Sequence, residues 1–473
     1  MKKAKCFSDI HYDIGKIDDK MYSSFTEHLG RSIYTGIYEP GHPNADEDGY
    51  RKDVMELVKE LGVPVIRYPG GNFVSCYDWH DGIGPKEKRP KRMDYAWSSI
   101  ETNQFGIDEF CQWAEKVGIE PMIAVNLGTG SIKDAGDLVE YCNHPGGTYW
   151  SDLRAQNGHP EPYNIKYWCL GNEMEGSWQA GHLSAEDYTK KALEAAKIMR
   201  WVDPSIKLVA CGSSYEMLPT YMEWDRTMLT DLYNQVDYLS THNYTMNSGQ
   251  GTTNYLASYK QLDSHIKNSA KVIEYVKAKN HFDKVCSLLD DLEIDYVIDT
   301  NLVRGLDYYS HTVFEIISDD PKLGAGATVG GGGRYNGLIE EIGGPATPGV
   351  GFAFGMERLL LALDDEEDED EDGLDCYIMP LGEEAKDLAM QIIAMLRANG
   401  FTCEMDHVSR GLKGQFKSAD RFNAHFSIIL GEEEVKNEVV NIKCNHDKEQ
   451  VVVPLENILA HIENHLSGGH EHE

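Results

Sequence analysis

The chain has 473 residues, which is long enough for two or three domains. Its 41% hydrophobic and 26% charged residues are typical of a globular protein, and no apolar run reaches the roughly 18 residues that a membrane span needs. A net charge of −34 argues against broad electrostatic binding to nucleic acid, which requires lysine and arginine at the phosphates. The ten cysteines form no CxxC pair, and no apolar segment follows the first lysines. Together these features predict a cytoplasmic protein with reduced thiols and no metal site.

The first 280 residues alternate short apolar segments with amphipathic helical stretches. Five of the apolar segments are VPVIRYPGG, PMIAVNLGTG, NIKYWCLGNE, SIKLVACG and VDYLSTHNY, and a further strand is expected near residues 23–26. Strands that alternate with helices predict parallel βαβ units. Each segment ends in glycine or polar residues, and a (β/α)8 barrel carries its chemistry at that end of its strands. The pattern predicts an α/β fold containing an incomplete (β/α)8 barrel of about six βα units.

The pattern changes after about Asn280. The segments CSLLDDLEIDYVID, LVRGLDYYSHTVFEII and VGGGGRYNGL predict an antiparallel sheet, and a small α/β unit begins near Leu374. The acidic run Asp364 to Asp372 predicts a solvated linker. The predicted domains are 1–280, a truncated barrel; 281–363, an antiparallel-sheet fragment; 364–373, the acidic linker; 374–466, a small α/β domain; and 467–473, a polar tail.

Glu173 follows a predicted strand, within WCLGNEMEG. A glycosidase needs one carboxylic acid to protonate the leaving oxygen and a second carboxylate to attack or to activate water. Asn172, beside Glu173, can hydrogen-bond a sugar hydroxyl. An Asn-Glu pair alone is weak evidence for a catalytic site, but several longer segments of the sequence support it. The segments MYSSFTEHLGRSIYTGIYEP, VIRYPGGNFVSCYDWHDGIGP, AWSSIETNQFGIDEFCQW, EPMIAVNLGTG, LGNEMEGSW and STHNY resemble glycoside hydrolase family 51, the α-L-arabinofuranosidases, over residues 8–280.

The resemblance implies a retaining hydrolase of arabinofuranosyl oligosaccharides that needs no cofactor. By position, Glu173 matches the general acid/base. The residues that match those holding the furanose ring and positioning the acid are Glu27, Asn72, Asn172, His242 and Tyr244. For His242, the alternative is a buried histidine that hydrogen-bonds the backbone.

The chain departs from the family at the nucleophile. The family uses a glutamate in a motif resembling FDEWN, about 120 residues after the acid/base, and that motif does not occur here. Glu293, in DDLEIDY, stands at this spacing but in a different sequence context. Without the carboxylate, a retaining mechanism has no covalent intermediate. The last two barrel strands are also missing, so exposed sheet edges are expected.

From about His281 the chain resembles the C-terminal half of histidyl-tRNA synthetase, a class II enzyme. The resemblance rests on LVRGLDYYSHTVFE, GGGRYNGL, GVGFAFGMERLLLAL and the anticodon-binding-like residues 374–466. It implies that Arg304 assists attack of the histidine carboxylate on ATP, that Tyr309 and Tyr335 line the histidine pocket, and that Arg358 holds an ATP phosphate. ATP, Mg²⁺ and tRNA(His) are the implied cofactors and partner. Class motifs 1 and 2, which lie in the N-terminal half of that family, are absent.

The sequence therefore predicts an arabinofuranosidase-like hydrolase joined to a synthetase fragment, with both catalytic sites incomplete. Two alternatives remain open: a histidine–tRNA ligase-like protein, and an inactive fusion that retains only anticodon binding. Both resembled families tend to self-associate, so a homo-oligomer is also open, while a membrane partner is not expected. Sugar hydrolysis and tRNA charging share no intermediate, so nothing in the residues requires the two halves to work together.

Overall fold

The computed structural model describes residues 16–246, 249, 251–302, 308–324, 327–362 and 373–467. It divides into two compact units, Met1–Lys277 and Ala278–Glu473. Arg304, the predicted acidic run and the tail beyond Ser467 lie outside the described residues. Each unit is described by itself below.

The first unit contains one parallel sheet and one hairpin. Its strands are β1 (Ser24–Phe25), β2 (Val65–Tyr68), β3 (Arg92–Asp94), β4 (Ser99–Glu101), β5 (Glu120–Ala124), β6 (Tyr167–Leu170), β7 (Lys207–Cys211) and β8 (Tyr238–Ser240). β3 and β4 pair as an antiparallel hairpin. The other six strands form a sheet in the order β1-β2-β5-β6-β7-β8, and every neighbouring pair is parallel. The prediction of a mixed α/β chain with part of a parallel barrel is confirmed.

The helices of this unit are α1 (Lys52–Leu61), α2 (Ile107–Val117), α3 (Ile132–Asn143), α4 (Tyr149–Gln156), α5 (Ala185–Val202), α6 (Glu223–Leu232), α7 (Thr252–Ala257) and α8 (Tyr259–Asp291), the last of which continues into the second unit. Buried residues of α2, α3, α5 and α6 form the large core on one face of the sheet. Short 3-10 helices occupy Asp19–Tyr22, Asn72–Cys76, Trp79–Gly82 and Lys86–Lys88. Ile123, Trp168 and Leu208 join the large core with the helices, whereas their strand neighbours Cys169 and Val209 belong to a small separate cluster. Because successive strand residues point to opposite faces, that small cluster is the inner face of the partial barrel.

One prediction for the second unit is wrong. Cys286–Asp291 was expected in antiparallel sheet, but it forms the end of α8, which runs through the boundary between the two units. The physical reason is the spacing of Val285, Leu288, Leu289 and Leu292, since apolar residues at i, i+3, i+4 and i+7 form one face of a helix.

The second unit contains two sheets. Its strands are β9 (Val313–Ser318), β10 (Ala327–Arg334), β11 (Val350–Phe354), β12 (Cys376–Pro380), β13 (Cys403–Met405), β14 (Phe426–Leu430), β15 (Val439–Cys444) and β16 (Gln450–Pro454). Its remaining helices are α9 (Leu338–Glu341), α10 (Met356–Ala362), α11 (Glu383–Ala398), α12 (Leu412–Arg421), α13 (Glu432–Lys436) and α14 (Ile458–Ser467), with a 3-10 turn at Leu455–Asn457. The sheet orders are β11-β10-β9, which is antiparallel, and β13-β12-β14-β15-β16, which is mixed. In the described part of the chain, no helix has the length and apolar character needed to cross a membrane.

Candidate active site

A cleft of about 1410 Å³ opens at the C-terminal ends of the strands of the first unit. The residues that line it include side chains from the segments after β1, β6, β7 and β8, together with Arg67 of β2. Parallel strands bring their C-terminal ends to one edge of a sheet, so residues far apart in sequence meet there. Glu27, Asn172, Glu173 and His242 are brought together in this way.

Glu173 stands at the centre of this site. β6 ends at Leu170, and the chain then turns through Gly171 and Glu173, both with positive φ (88° and 45°). A non-glycine residue with positive φ is uncommon, and such backbone strain is frequent at functional sites. The Glu173 side chain is only 8% exposed. The turn therefore holds a buried carboxyl group at the cleft wall.

Each carboxyl oxygen of Glu173 has its own partner. His242 Nδ1 lies 2.7 Å from Oε1, and Trp178 Nε1 donates to Oε2 at 2.7 Å. An indole N–H can only donate, so Oε2 must accept and the shared proton lies on the Oε1 side, toward His242. This arrangement fixes the carboxyl plane and leaves one exchangeable proton between a carboxyl group and an imidazole.

The surroundings favour the ionised form of Glu173. Burial acts to raise the pKa of this carboxyl, but the hydrogen bonds from His242 and Trp178, aided by the charges of His242 and Arg67, outweigh burial and hold the pKa below its ordinary value. A group that must donate a proton at neutral pH benefits from a raised pKa. A nearby second carboxylate would push the pKa upward, because like charges disfavour ionisation.

Glu27 supplies the other carboxylate among the described residues that line the cleft. Its Oε1 accepts hydrogen bonds from the Phe73 backbone N–H and from Trp97 Nε1, both at 3.0 Å. The glycine pair before Asn72 makes this packing possible: a Cβ on Gly70, where φ is +141°, would lie 2.2 Å from Glu27 Cγ. Glu27 is therefore a carboxylate held in a fixed orientation at the cleft.

Asn172 is oriented by a chain of polar contacts. Arg67 Nη1 donates to Asn172 Oδ1 at 3.0 Å, and Asn172 Nδ2 lies 3.4 Å from Gln179 Oε1. Gln179 in turn hydrogen-bonds the Ser75 hydroxyl. Gln179 and Ser75 are almost fully buried, so the amide of Asn172 has a defined orientation at the cleft surface.

The remaining predicted residues also line the cleft. Asn72 begins the 3-10 turn after β2, and Tyr244 follows β8 with 65% of its surface exposed. Burial, together with the charges of Glu173 and Glu27, raises the pKa of the Tyr244 phenol, so this side chain senses both carboxylates. The structure thus brings all six predicted glycosidase residues to one cleft, while their individual roles remain predictions.

Sequence reasoning missed three residues that hold the carboxylates and Asn172 in place. Arg67 is a charged residue inside the otherwise apolar strand segment VPVIRYPGG, and that position was an available signal. Trp97 and Trp178 lie in the quoted segments AWSSI and LGNEMEGSW, but nothing in their spacing indicates that each indole reaches a glutamate.

Two buried carboxylates lie behind the cleft wall. Glu175 accepts from Ser214 N at 2.7 Å and from the Thr220 hydroxyl at 2.5 Å, and Asp225 accepts from Ser213 N at 2.6 Å. Burial raises the pKa of Asp225 to about 6. Glu175 joins the segment after β6 to the segment after β7, and Asp225 anchors the segment after β7 to α6.

Glu293 is not among the described residues that line the cleft. It belongs to the second unit, two residues beyond the end of α8, and its side chain is exposed.

The described synthetase-like residues form an aromatic cluster beside a glycine-rich strand. The rings of Tyr309 and Tyr335 meet edge to face with centroids 6.3 Å apart. Glycine is needed next to them, because a Cβ on Gly333 would lie 2.8 Å from the Tyr309 ring. Arg358 is exposed and donates from Nη1 to the Thr328 carbonyl at 2.5 Å. Tyr309 and Tyr335 are therefore brought together, whereas Arg304, predicted to assist the attack on ATP, lies outside the described residues.

Comparisons with known proteins find similarity for both parts of the chain. Residues 57–264 match the family model of the alpha-L-arabinofuranosidase 1 domain, residues 227–359 that of histidyl-tRNA synthetase, and residues 375–465 that of the anticodon binding domain. The first two ranges overlap over residues 227–264. The chain joins an arabinofuranosidase-like region to synthetase-like regions.

Relatives of the arabinofuranosidase-like region are similar at high identity but longer. The intracellular exo-alpha-(1→5)-L-arabinofuranosidase 1 of Bacillus subtilis is 55% identical over 63% of this chain, and the chain spans 59% of its length. An exo-alpha-(1→6)-L-arabinofuranosidase of Bifidobacterium longum is 50% identical over 59% of the chain and 55% of its own length. A solved family 51 alpha-L-arabinofuranosidase from Bifidobacterium longum has a TM-score of 0.55 at 47% identity, over 56% of this chain and 53% of that one. The chain therefore spans little more than half of the relatives it matches.

Proposed function

We propose that the arabinofuranosidase-like unit binds the non-reducing-end α-L-arabinofuranosyl residue of an oligosaccharide, with Glu173 as the acid/base. The observation that carries the proposal is the carboxyl of Glu173, held by Trp178 and His242 in a cleft that also presents Glu27 and Asn172. The fixed carboxylate and amide oxygens are suited to sugar hydroxyls, and the proton shared with His242 is suited to a leaving oxygen. The names of the relatives support an arabinofuranosyl substrate and leave the linkage open between 1→5 and 1→6.

The proposed activity lacks one chemical group. A retaining glycosidase forms a bond between the anomeric carbon and a second carboxylate. Among the described residues that line the cleft, the carboxylates are Glu173 and Glu27, and Glu27 is committed to the Phe73 amide and the Trp97 indole. We therefore expect the chain to bind arabinofuranosides and to release arabinose with water at or near the background rate.

A small external nucleophile tests this assignment directly. With an aryl α-L-arabinofuranoside, azide attacks C1 from the face opposite the leaving group, the C1–O bond breaks, and the aryl oxygen takes the proton from Glu173. The expected products are the phenol and β-L-arabinofuranosyl azide, with configuration inverted, whereas water alone gives little product. Absence of both azide-dependent cleavage and arabinofuranoside binding would contradict the proposal.

Variants identify the groups involved. Glu173→Gln should lower the rate of azide-dependent cleavage by a factor of about 10² to 10⁴ for substrates with poor leaving groups. Such substrates need the proton that Glu173 supplies. Glu186→Gln, on the exposed face of α5, is the matched control and should be unaffected. Glu293→Ala should also be unaffected. If turnover in water is detectable and disappears in both Glu173→Gln and Glu293→Ala, Glu293 is the nucleophile and the missing-carboxylate argument fails.

A second candidate function belongs to the anticodon-binding-like region. Residues 375–465 match that family model and fold around their own core of β12, β14, β15, α11 and α14. We propose that this region binds the anticodon stem-loop of tRNA(His). The resemblance gives Tyr309, Tyr335 and Arg358 roles in a histidine and ATP site, but two of the three class motifs that such a site uses are absent from the sequence. Salt-sensitive tRNA binding without histidine-dependent pyrophosphate exchange is the expected result. Exchange that is lost in Arg304→Ala would instead indicate a working ligase site.

A further inference from the structure

One wall of the cleft is formed by residues 254–261, which span the end of α7 and the start of α8. Most of these residues are exposed, so their position depends on how firmly α8 is attached to the rest of the first unit. The wall residues that line the cleft are Asn254, Tyr255, Ala257, Ser258 and Gln261. The contacts that hold the start of α8 therefore also hold this wall.

Few buried side chains attach α8 to the first unit. In this helix of 33 residues, which is described throughout, the buried residues are His265, Ser269 and Val276. The Ser269 hydroxyl lies 3.4 Å from Asp225 Oδ2 of α6, and Val276 joins the large core. His265 follows the cleft residue Gln261 by about one helical turn, so it is the first buried contact after the wall.

The imidazole of His265 is buried without a polar partner. The residue is 0% exposed, and within the described part of the chain neither ring nitrogen has a hydrogen-bond partner. The ring of Tyr221 meets the imidazole edge to face, with 5.2 Å between the ring centroids. A buried polar group that makes no hydrogen bond destabilises a protein, and a leucine of similar size would avoid this cost. The imidazole therefore does not serve the stability of this contact.

The titratable groups around His265 come from four parts of the first unit. On α8 itself, the neighbouring charged residues Asp263 and Lys267 form an ion pair with each other at 2.9 Å. Asp225 of α6 is engaged one turn farther along, by Ser269. The remaining groups are Glu216 and Tyr221 of the segment after β7 and His242 of the segment after β8. An imidazolium at this position would be a buried charge without a hydrogen-bonded counter-ion.

Burial disfavours the charged form of His265. It lowers the pKa of this imidazole below its ordinary value of 6.5, the charge of His242 acts in the same direction, and Glu216 opposes both. A histidine on a released helix is in water and has an ordinary pKa. A proton therefore binds more tightly to the released helix than to the attached one.

We propose that His265 is an acid-sensitive latch for the cleft wall. The neutral imidazole packs the start of α8 against the first unit, and uptake of a proton from solvent releases this part of the helix together with residues 254–261. The ratio of attached to released helix is highest above pH 6.5 and falls by up to about tenfold for each pH unit below it, until the lowered pKa is passed. The latch acts whatever sugar the cleft binds.

Asp225 acts on the same helix with the opposite sign. The helix packs on Asp225 through Ser269, and burial raises the pKa of this carboxyl to about 6. Attachment of a helix that helps to bury Asp225 therefore becomes more favourable as pH falls through 6. The two groups oppose each other in the parent chain, so a variant that lacks only the titration of His265 isolates the latch.

Amide hydrogen exchange of the full chain measures the release. Protection of residues 254–269 is compared at pH 7.5 and pH 5.0 in the parent and in His265→Leu, after correction for the intrinsic exchange rate at each pH. We expect the ratio of parent to variant protection to fall by about tenfold between these pH values, because leucine cannot take up a proton. His265→Gln is also neutral, should behave like His265→Leu, and serves in its place if the leucine variant does not fold.

A matched control and a second helix complete the test. His182→Gln, at an exposed position before α5, should keep the pH dependence of the parent. Residues 185–202 of α5 report on the rest of the unit and should keep their protection in every variant. A ratio of parent to variant protection that is the same at both pH values, for His265→Leu and for His265→Gln, overturns the latch. Equal loss of protection in α5 and in residues 254–269 of the parent at pH 5.0 also overturns it, because the proton then unfolds the whole unit.

Discussion

At the residue scale, the chemistry of the cleft depends on how Glu173 holds its proton. Trp178 donates to its carboxyl group and His242 lies at its other oxygen, while the other carboxylate of the described lining, Glu27, is not among the groups that shift its pKa. Hydrogen bonds to the charged form lower a carboxyl pKa, and a like charge raises it. Glu173 is therefore a carboxylate at neutral pH, and this form suits the role of general base better than that of general acid.

A pH profile tests this conclusion. Since the pKa of Glu173 lies below its ordinary value of 4.5, the acid form increases as pH falls toward and below 4.5. Cleavage of an arabinofuranoside with a poor leaving group, with formate as the external nucleophile, should therefore rise continuously from pH 7 to pH 5.

His242→Asn supplies the contrast. This change removes the interactions with His242 that lower the pKa of Glu173, so the pKa of the carboxyl rises and the acidic limb of the profile moves to higher pH. A 2,4-dinitrophenyl substrate, whose leaving group departs as the anion and needs no proton, serves as the control and should show no such shift. Identical profiles in the parent and His242→Asn would contradict the role given to this histidine.

At the element scale, the contact between α6 and the segment after β7 contains a buried carboxyl group. Asp225, in the first turn of α6, accepts the Ser213 backbone N–H, and burial raises its pKa to about 6. Because the folded pKa lies above the ordinary value of 3.8, the folded state binds the proton more tightly than the unfolded state. The stability gained from the neutral form is fully present below pH 3.8 and is lost as pH rises through about 6.

Asp225→Asn should remove this pH dependence. The asparagine stays neutral at every pH. The unfolding free energy of the variant should therefore rise relative to that of the parent between pH 4 and pH 7, by up to about 3 kcal/mol. Urea unfolding of the first unit at several pH values measures the difference. Asp231→Asn, on the exposed side of the same helix, is the control. Parallel curves for Asp225→Asn and the parent would show that Asp225 is charged in both states.

The elements also show where sequence reasoning succeeds. Short apolar runs ending in polar residues identified the parallel strands and the end of the sheet that carries Glu173, since both follow from local patterns. The helical residues Cys286–Asp291 were misassigned because a short apolar run fits a strand as well as a helix. Contacts such as Trp97 with Glu27 join residues 70 positions apart, and no local pattern specifies them.

At the scale of the whole molecule, each unit has its own hydrophobic core. The main core of the first unit contains residues between Ile33 and Val276, and that of the second contains residues between Cys376 and Ile462. These cores share no residue. A cavity made in one of them should therefore lower the stability of that unit and spare the binding function of the other.

Ile428→Ala is the corresponding variant. Ile428 is fully buried in β14, and its truncation should lower the unfolding free energy of the second unit by about 2–5 kcal/mol. Arabinofuranoside binding by the first unit, measured in the same preparation, should be unchanged. Ile317→Ala, at an exposed position of β9, is the control. Loss of sugar binding in Ile428→Ala would show that the units fold as one.

The two indoles of the cleft have a spectroscopic consequence. Trp97 donates to Glu27 and Trp178 donates to Glu173, so each of the two carboxylates is hydrogen-bonded to a fluorophore. Indole emission is sensitive to nearby charge and to water, and both change when a carboxyl group takes up a proton or a sugar enters the cleft. The difference in emission between the parent and Trp178→Phe thus reports the state of Glu173 without added dye and in the absence of turnover.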